Sequence, residues 1–158
     1  MTEPIGEDRL FCSFHLGEHR FGIEIAAVQE VLRSQEITRV PLAPPAVRGV
    51  INLRGRIIPA VDLRRCFEMG PRPGDREPAN IVVRGAGSTS ASLLIDEIGE
   101  VVETTAPAHE GPPATLRGRA RDLIDCVYKL QDGILLVLDI GKVLRAAYAE
   151  APTPLGRT

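Results

Sequence analysis

Arg48 to Leu63, RGVINLRGRIIPAVDL, is the stretch from which the rest of the chain can be read. Val50-Ile51-Asn52-Leu53 and Ile57-Ile58-Pro59-Ala60-Val61 are short runs rich in β-branched residues, with Arg54-Gly55-Arg56 between them. Two apolar runs joined by three residues that include a glycine predict a β-hairpin. Gly55 can take positive φ at the turn without steric cost. Pro59 has no N–H to give to a ladder, so its strand is expected at a sheet edge or with a bulge at that point.

The stretch recurs. Val127 to Ile140, VYKLQDGILLVLDI, lies under Val50 to Leu63 with Val127 below Val50, Leu130 below Leu53, Ile134 below Ile57 and Asp139 below Asp62. An earlier segment repeats as well. Phe21 to Leu32 lies over Ala91 to Val102, matching Ile25 with Ile95, Val28 with Ile98, Glu30 with Glu100 and Val31 with Val101. One β unit used twice is the simplest reading. A chain of 158 residues can bury roughly two thirds of its unfolded surface. A half of about 70 residues would be marginal alone, so the halves are expected to share a core.

Taken in order, Leu10 to Leu16 and Arg20 to Ile25 predict a first hairpin through Gly17-Glu18, and Gln29 to Arg33 a further strand after a helical turn at Ala26-Ala27-Val28. Arg64 to Phe67 suits one turn of helix, and Pro71 to Pro78 reads as a linker dense in Pro, Gly and charge. Ile81-Val82-Val83, Ser92 to Ile95 and Gly99 to Thr105 predict the strands that follow. The loop 106–119 leads to a closing hairpin of Leu123 to Leu130 and Ile134 to Asp139. Ile140, Val143, Leu144 and Ala147 then share one face of a helix over 140–150. The fold expected is mainly β, two small five-stranded barrels and a short C-terminal helix, with edges closed rather than exposed. By this reading residues 10–145 form one domain, with barrel one at about 10–66 and barrel two at about 79–139. Residues 1–9 and 151–158 are expected to be flexible.

Composition is that of an ordinary globular protein: 44% hydrophobic, 25% charged, formal net charge −2. No apolar run approaches the roughly 20 residues of a membrane helix. MTEPIGEDRL lacks the basic-then-apolar order of a secretory signal. Cys12, Cys66 and Cys126 are far apart and odd in number, which predicts reduced thiols in the cytoplasm, with Cys12 and Cys126 buried in strands.

At this point the sequence resembles the CheW-like coupling proteins of bacterial chemotaxis. The resemblance is carried by Phe21 to Ile25, Val28-Gln29-Glu30-Val31, Ile37 to Pro41, Gly49 to Gly55 with Ile58-Pro59 and Asp62-Leu63, and Leu135 to Leu144. It runs collinearly from about Leu10 to Leu144. It implies two SH3-like five-stranded barrels around a shared core. It also implies a non-catalytic cytoplasmic adaptor that links the tip of a methyl-accepting chemoreceptor to the regulatory domain of a CheA-type histidine kinase. A coupling protein for another output, such as twitching motility or development, is the alternative, ahead of a cysteine- or metal-dependent domain. Carried over residue by residue, the family's receptor contact nominates Val28, Glu30, Gly49 and Arg54. Ser92, where relatives often have Gly, and the basic run Arg117 to Arg121 depart from the pattern.

Each nomination has a plainer reading. Val28 is apolar and suits a core, and Glu30, which recurs as Glu100, suits a pairing with a nearby arginine. Gly49 and Gly55 suit backbone geometry, and Arg54 a solvated turn. For Arg54 the neighbourhood favours recognition: Arg39, Arg48, Arg54, Arg56, Arg64 and Arg65 fall in a stretch whose single acid is Asp62. Such a patch would steer an acidic partner.

No enzyme, cofactor or metal is expected. His15 and His19 flank a turn without an evident third ligand, His109 stands alone, and the cysteines have no sequence-adjacent His. Asp96, Glu97, Glu100 and Glu103 read as a solvated acidic face. No phosphate-cradling loop opens a helix. Nucleic-acid binding would call for aromatic platforms in a basic groove, and this chain has four Phe, two Tyr and no Trp.

Overall fold

The computed structural model describes residues 9–74, 76–85, 89–104 and 118–149. Within them lie ten strands: β1 (Arg9–Leu16), β2 (His19–Glu24), β3 (Val28–Leu32), β4 (Val47–Leu53), β5 (Arg56–Asp62), β6 (Ala79–Arg84), β7 (Ser90–Ile95), β8 (Glu97–Thr104), β9 (Ile124–Leu130) and β10 (Gly133–Leu138). Three helices, α1 (Leu63–Cys66), α2 (Arg119–Asp122) and α3 (Ile140–Ala149), and a 3-10 turn at Ile25–Ala27 complete the described elements. The tails, most of the 106–119 loop, His109 and Arg117 lie outside the described residues.

Two five-stranded sheets result, ordered β8-β1-β2-β10-β9 and β3-β6-β7-β5-β4. This corrects the division of barrels by sequence halves. The β1–β2 hairpin joins β8, β9 and β10 of the second half, while β6 and β7 join β3, β4 and β5 of the first. The repeat explains why the exchange works. Under it β2 corresponds to β7, β10 to β5 and β9 to β4, so the sheet orders are the same order written twice. The joints coincide too: Val137 lies beside Gly22 in the parallel β10–β2 pair, and Ala60 beside Ser92 in the parallel β5–β7 pair.

The central hairpin differs in detail from its expectation. Leu53 pairs with Arg56, so the loop is the two residues Arg54-Gly55 and Arg56 already belongs to β5. Both loop residues have positive φ, 52° and 84°, the geometry whose twist matches that of the flanking strands. Asn52 Oδ1 accepts a hydrogen bond from Gly55 N at 2.9 Å. Strand β5 is internal, between β7 and β4, rather than at an edge. Pro59 is tolerated there because its partner Val50 directs both backbone groups to Thr38 instead (2.8 Å each). Pairing of β5 with β7 starts only at Ala60, so no ladder needs the missing N–H.

Among the described residues, apolar side chains form three cores. Ile51, Ile58, Ala60, Val82 and Leu94 fill the inside of the β3–β7 sheet, with Leu32, Ile37 and Leu53 packed against them. Phe11, Tyr128, Leu135 and Val137 fill the other, with Val102, Cys126 and Leu130. Tyr128, Leu135 and Val137 are the repeat equivalents of Ile51, Ile58 and Ala60. In each sheet these clusters join residues of the two outermost strands, so both sheets are curled into barrels. Between the barrels lies the largest core, which takes Phe14, Leu16, Phe21 and Leu136 from one sheet and Val61, Ile81, Leu93 and Ile95 from the other. Each fully buried side chain of this size stabilises by about 1.5–3 kcal/mol. That surface would be bare if either barrel stood alone.

The repeated aspartates share a job. Asp62 Oδ1 accepts from Arg64 N at the start of α1, and Asp139 Oδ1 from Lys142 N at the start of α3. Each satisfies an N–H that the first helical turn leaves without a partner. Helix α3 then buries Val143, Leu144 and Ala147 along the expected face.

Candidate partner-binding surface

Glu30 and Arg54, 24 positions apart, meet in a two-pronged ion pair. Arg54 Nη1 donates to Glu30 Oε1 at 2.7 Å, and Nη2 donates to Oε2. Arg54 comes from the β4–β5 turn and Glu30 from β3 at the far edge of the same sheet, so curling of the sheet is what brings them together. The hydrogen bonds from Arg54 lower the pKa of Glu30, and the same contact raises that of Arg54. Arg54 is 71% exposed and Glu30 21%. One partner is therefore a shielded anchor and the other stands in solvent.

Val28 opens β3 opposite Val83 and is half-buried against the shared core. It sits two residues before Glu30, on the side of the barrel that faces its twin. Gly49 lies on β4 with φ 156°, and a Cβ there would stand 2.2 Å from Thr38 O. Only glycine lets the 38–39 backbone lie against β4 and bridge Val50. The nominated four thus divide in kind. Glu30 and Arg54 form a surface unit, Val28 borders the core, and Gly49 shapes the backbone.

Half of the basic patch inferred from the sequence is neutralised among the described residues. Arg48 pairs with buried Asp62 at 3.0 Å and Arg54 with Glu30. Arg64 is itself buried, its Nε and Nη2 on Asp96 at 2.8 and 2.6 Å. Asp96 is accordingly not part of a solvated acidic face. It also accepts from Arg72 Nε at 2.9 Å and Gly17 N at 2.8 Å. Burial pushes the pKa of Asp96 up, but the hydrogen bonds from Arg64, Gly17 and Arg72 outweigh it and hold the carboxyl at about 2. Sequence reasoning missed this site because its members lie up to 79 positions apart.

A second polar contact beside Glu30–Arg54 was also missed. Ser90 Oγ donates to Gln29 Oε1 at 2.9 Å and accepts from Arg56 Nη2 at 3.5 Å. Gln29-Glu30 of β3 therefore faces Arg54 and Arg56 at the head of the β4–β5 hairpin. Val31 and Ile57, each beside one of these residues in sequence, are 42% and 62% exposed. Arginines set among exposed aliphatics, with few bare acids, have the composition of a protein-binding patch.

The thiols are not set up for nucleophilic chemistry. Burial, with Asp62 nearby, pushes Cys66 up to about 12, and burial also raises Cys12 and Cys126. Cys12 is buried as expected, whereas Cys126 is only half-buried. His15 lies opposite Arg20 and His19 opposite Leu16 across the first hairpin. Among the described residues, no three of His, Cys, Asp and Glu stand together as a metal site. No helix there is long and apolar enough to cross a membrane.

Two curled five-stranded sheets thus pack back to back, and the Glu30–Arg54 pair with Gln29 and Arg56 forms a polar patch on one of them. Comparison with known proteins identifies the family. The model of the CheW-like domain matches residues 10–148, and the chain belongs to that family. It is 31% identical over 134 residues to the chemotaxis protein CheW of Treponema pallidum, covering 83% of this chain and 79% of that one. It is 30% identical over 142 residues to the chemotaxis protein CheW of Klebsiella aerogenes, with 90% and 84% covered. Its fold is similar to the crystal structure of the scaffolding protein TtCheW from Thermoanaerobacter tengcongensis. That match has a TM-score of 0.76 and 29% identity, and covers 87% of this chain and 92% of that one. The protein is thus of the chemotaxis scaffold class.

Proposed function

We propose that this chain is a non-catalytic cytoplasmic adaptor that couples the tip of a methyl-accepting chemoreceptor to the regulatory domain of a CheA-type histidine kinase. The observation that carries the receptor half of this reading is the Glu30–Arg54 pair. Glu30 is largely shielded and holds an exposed guanidinium in one orientation. An arginine held this way loses less side-chain entropy when it meets a partner's carboxylate, and arginine is enriched among residues that dominate binding energy. Val28 and Gly49 act less directly, Val28 by fixing β3 on the core and Gly49 by fixing β4 against residue 38.

The mechanism is positional. An adaptor that contacts both partners needs no chemistry of its own. A change in receptor conformation alters kinase activity to the extent that the two states contact the adaptor differently. Titration calorimetry of the chain with a soluble receptor-tip fragment, and separately with the kinase regulatory domain, tests both halves. Saturable binding to each is expected, with Arg54→Ala weakening the receptor fragment roughly tenfold or more and leaving the kinase domain unaffected. Equal receptor affinity for wild type and Arg54→Ala would remove Arg54 from the contact. Absence of binding to both partners by folded protein would remove the function.

A further inference from the structure

Gln29, Ser90 and Arg56 lie beside the Glu30–Arg54 pair and set what kind of group that surface can meet. Val28 pairs with Val83 and Glu30 with Val82, so Gln29 is an extra residue in β3, a bulge. In a regular strand Gln29 and Glu30 would point to opposite faces. A bulge re-aims a side chain, and here both residues reach the head of the β4–β5 hairpin. Glu30 meets Arg54 there. Gln29 meets Ser90, the first residue of β7, whose hydroxyl donates to Gln29 Oε1 at 2.9 Å and accepts from Arg56 Nη2 at 3.5 Å. Ser90 is only 8% exposed, whereas Gln29 and Arg56 are both exposed. Ser90 therefore joins two solvent-facing side chains without facing solvent itself.

The hydrogen bonds within this group leave its spare capacity on the donor side. A guanidinium can only donate, so Ser90 Oγ accepts from Arg56 and turns its own proton onto the Gln29 oxygen. Each side-chain oxygen at the hairpin head already accepts a bond: both of Glu30 from Arg54, Gln29 Oε1 from Ser90 and Asn52 Oδ1 from Gly55 N. The Gln29 and Asn52 amide nitrogens and Nε and Nη1 of Arg56 make no hydrogen bond among the described residues. Asn52, like Gln29 and Arg56, is exposed. Accessible donors, one of them charged, suit a partner group that only accepts and is itself ionised. Among side chains that group is a carboxylate.

We propose that this end of the β3–β7 barrel recognises carboxylate side chains of the receptor tip, and that Ser90 is the positioning residue that holds Gln29 and Arg56 toward them. The proposal rests on the receptor reading of the Glu30–Arg54 pair and adds to it the chemistry of the partner. Without the Ser90 hydroxyl, Gln29 and Arg56 would each regain side-chain freedom that binding must then remove.

The test is titration calorimetry of the full chain with the soluble receptor-tip fragment at low and at high salt. Wild-type affinity should fall as salt rises. Arg56→Gln should weaken binding several-fold at low salt and flatten that dependence. Ser90→Ala should also weaken it several-fold, and Ser90→Thr, which keeps the hydroxyl, should recover most of the loss. Added to Gln29→Ala with Arg56→Gln, Ser90→Ala should weaken binding no further, since it acts only through those two residues. Circular dichroism checks folding. Unfolding of Ser90→Ala would make Ser90 a residue of the fold and overturn its positioning role, leaving Arg56→Gln and Gln29→Ala to decide the carboxylate contact. Wild-type binding that ignores salt, or equal affinity in Arg56→Gln, would overturn that contact. Wild-type affinity in Ser90→Ala, or a Ser90→Thr no better than Ser90→Ala, would overturn the positioning role. In all these cases receptor binding itself survives. No binding by folded wild type would instead remove the receptor reading, and the carboxylate contact with it.

Discussion

The two barrels are built on one pattern and finished differently. In the β3–β7 barrel the interior is aliphatic, with Ile51, Ile58, Ala60, Val82 and Leu94, beside a buried polar pair in which Ser92 Oγ donates to Asn80 Oδ1 at 3.0 Å. In the other barrel, Ile51 is replaced by Tyr128, which packs at 5.4 Å on Phe11. There Gly22 stands where Ser92 does, because a Cβ would come within 3.1 Å of Leu135. The departure of Ser92 from the family pattern is thus answered locally by Asn80. The barrel ends differ as well. Arg9 closes the aromatic barrel, donating to Tyr128 Oη at 2.7 Å and to Glu24 at 2.6 Å. Arg54 instead leans on Glu30 and stands in solvent. Its repeat equivalent is Gln131 and that of Glu30 is Glu100, so the ion pair exists in one copy only. Duplication supplied the frame, and divergence at a few positions made one barrel end a lid and the other a candidate contact.

The largest test of this comparison asks whether the barrels are separable at all. Asp96 ties the β1–β2 turn of one barrel to α1 of the other, so Asp96→Ala leaves two buried arginines without their anion. It should destabilise by about 3–5 kcal/mol. Urea unfolding in a Tyr148→Phe background, followed by tyrosine fluorescence from Tyr128 of the aromatic barrel and by far-ultraviolet dichroism, should still give one coincident transition; two transitions would mean independent barrels. Acid provides a second view of the same link. The folded pKa of Asp96, about 2, lies below its ordinary value of 3.8. Its contribution is therefore complete above about pH 4 and is lost as pH falls through 2. The acid limb of the stability curve should flatten in Asp96→Asn, and an unchanged limb would assign it to other groups.

Next in size is Gly49→Ala, which combines an unfavourable φ with a clash against Thr38 O. About 3 kcal/mol of lost stability is expected. Cys126→Ala, at the equivalent position in the other barrel, should change it by about 1 kcal/mol. Similar losses at both sites would mean the barrels differ less here than the 38–50 bridge implies. Tyr128→Phe removes the hydrogen bond from Arg9 and should lower stability by about 1 kcal/mol, read from the denaturation midpoint.

The smallest stability effect belongs to the exposed pair. Arg54→Ala and Glu30→Ala should leave the melting temperature nearly unchanged, since exposed ion pairs contribute little to folding. Their effect should appear in receptor binding, and a double-mutant cycle should show the two losses to be less than additive. Additive losses would mean that Glu30 contacts the partner directly and does not merely hold Arg54.

What the sequence determined by itself was whatever is local or periodic. Alternating apolar runs, the Arg54-Gly55 turn, the paired Asp62 and Asp139 and the apolar face of α3 marked ten strands, the internal repeat and the final helix. Each follows from neighbours within a few residues or from an offset visible in the string. What only the tertiary structure decided was partnership. Hairpins β1–β2 and β6–β7 could each complete either barrel, because the repeat makes the two berths nearly equivalent. The exchange is favoured because it buries Phe14, Phe21, Val61 and Leu93 in one common core rather than two small ones. The same distance barrier hid the charges. Asp96 reads as one acid in a run until folding brings Arg64 and Arg72 onto it, and which arginine Glu30 pairs with is not readable until the sheet curls round to bring Arg54 to it. A sequence lists charges, but which of them remain exposed depends on the contacts made when the chain closes.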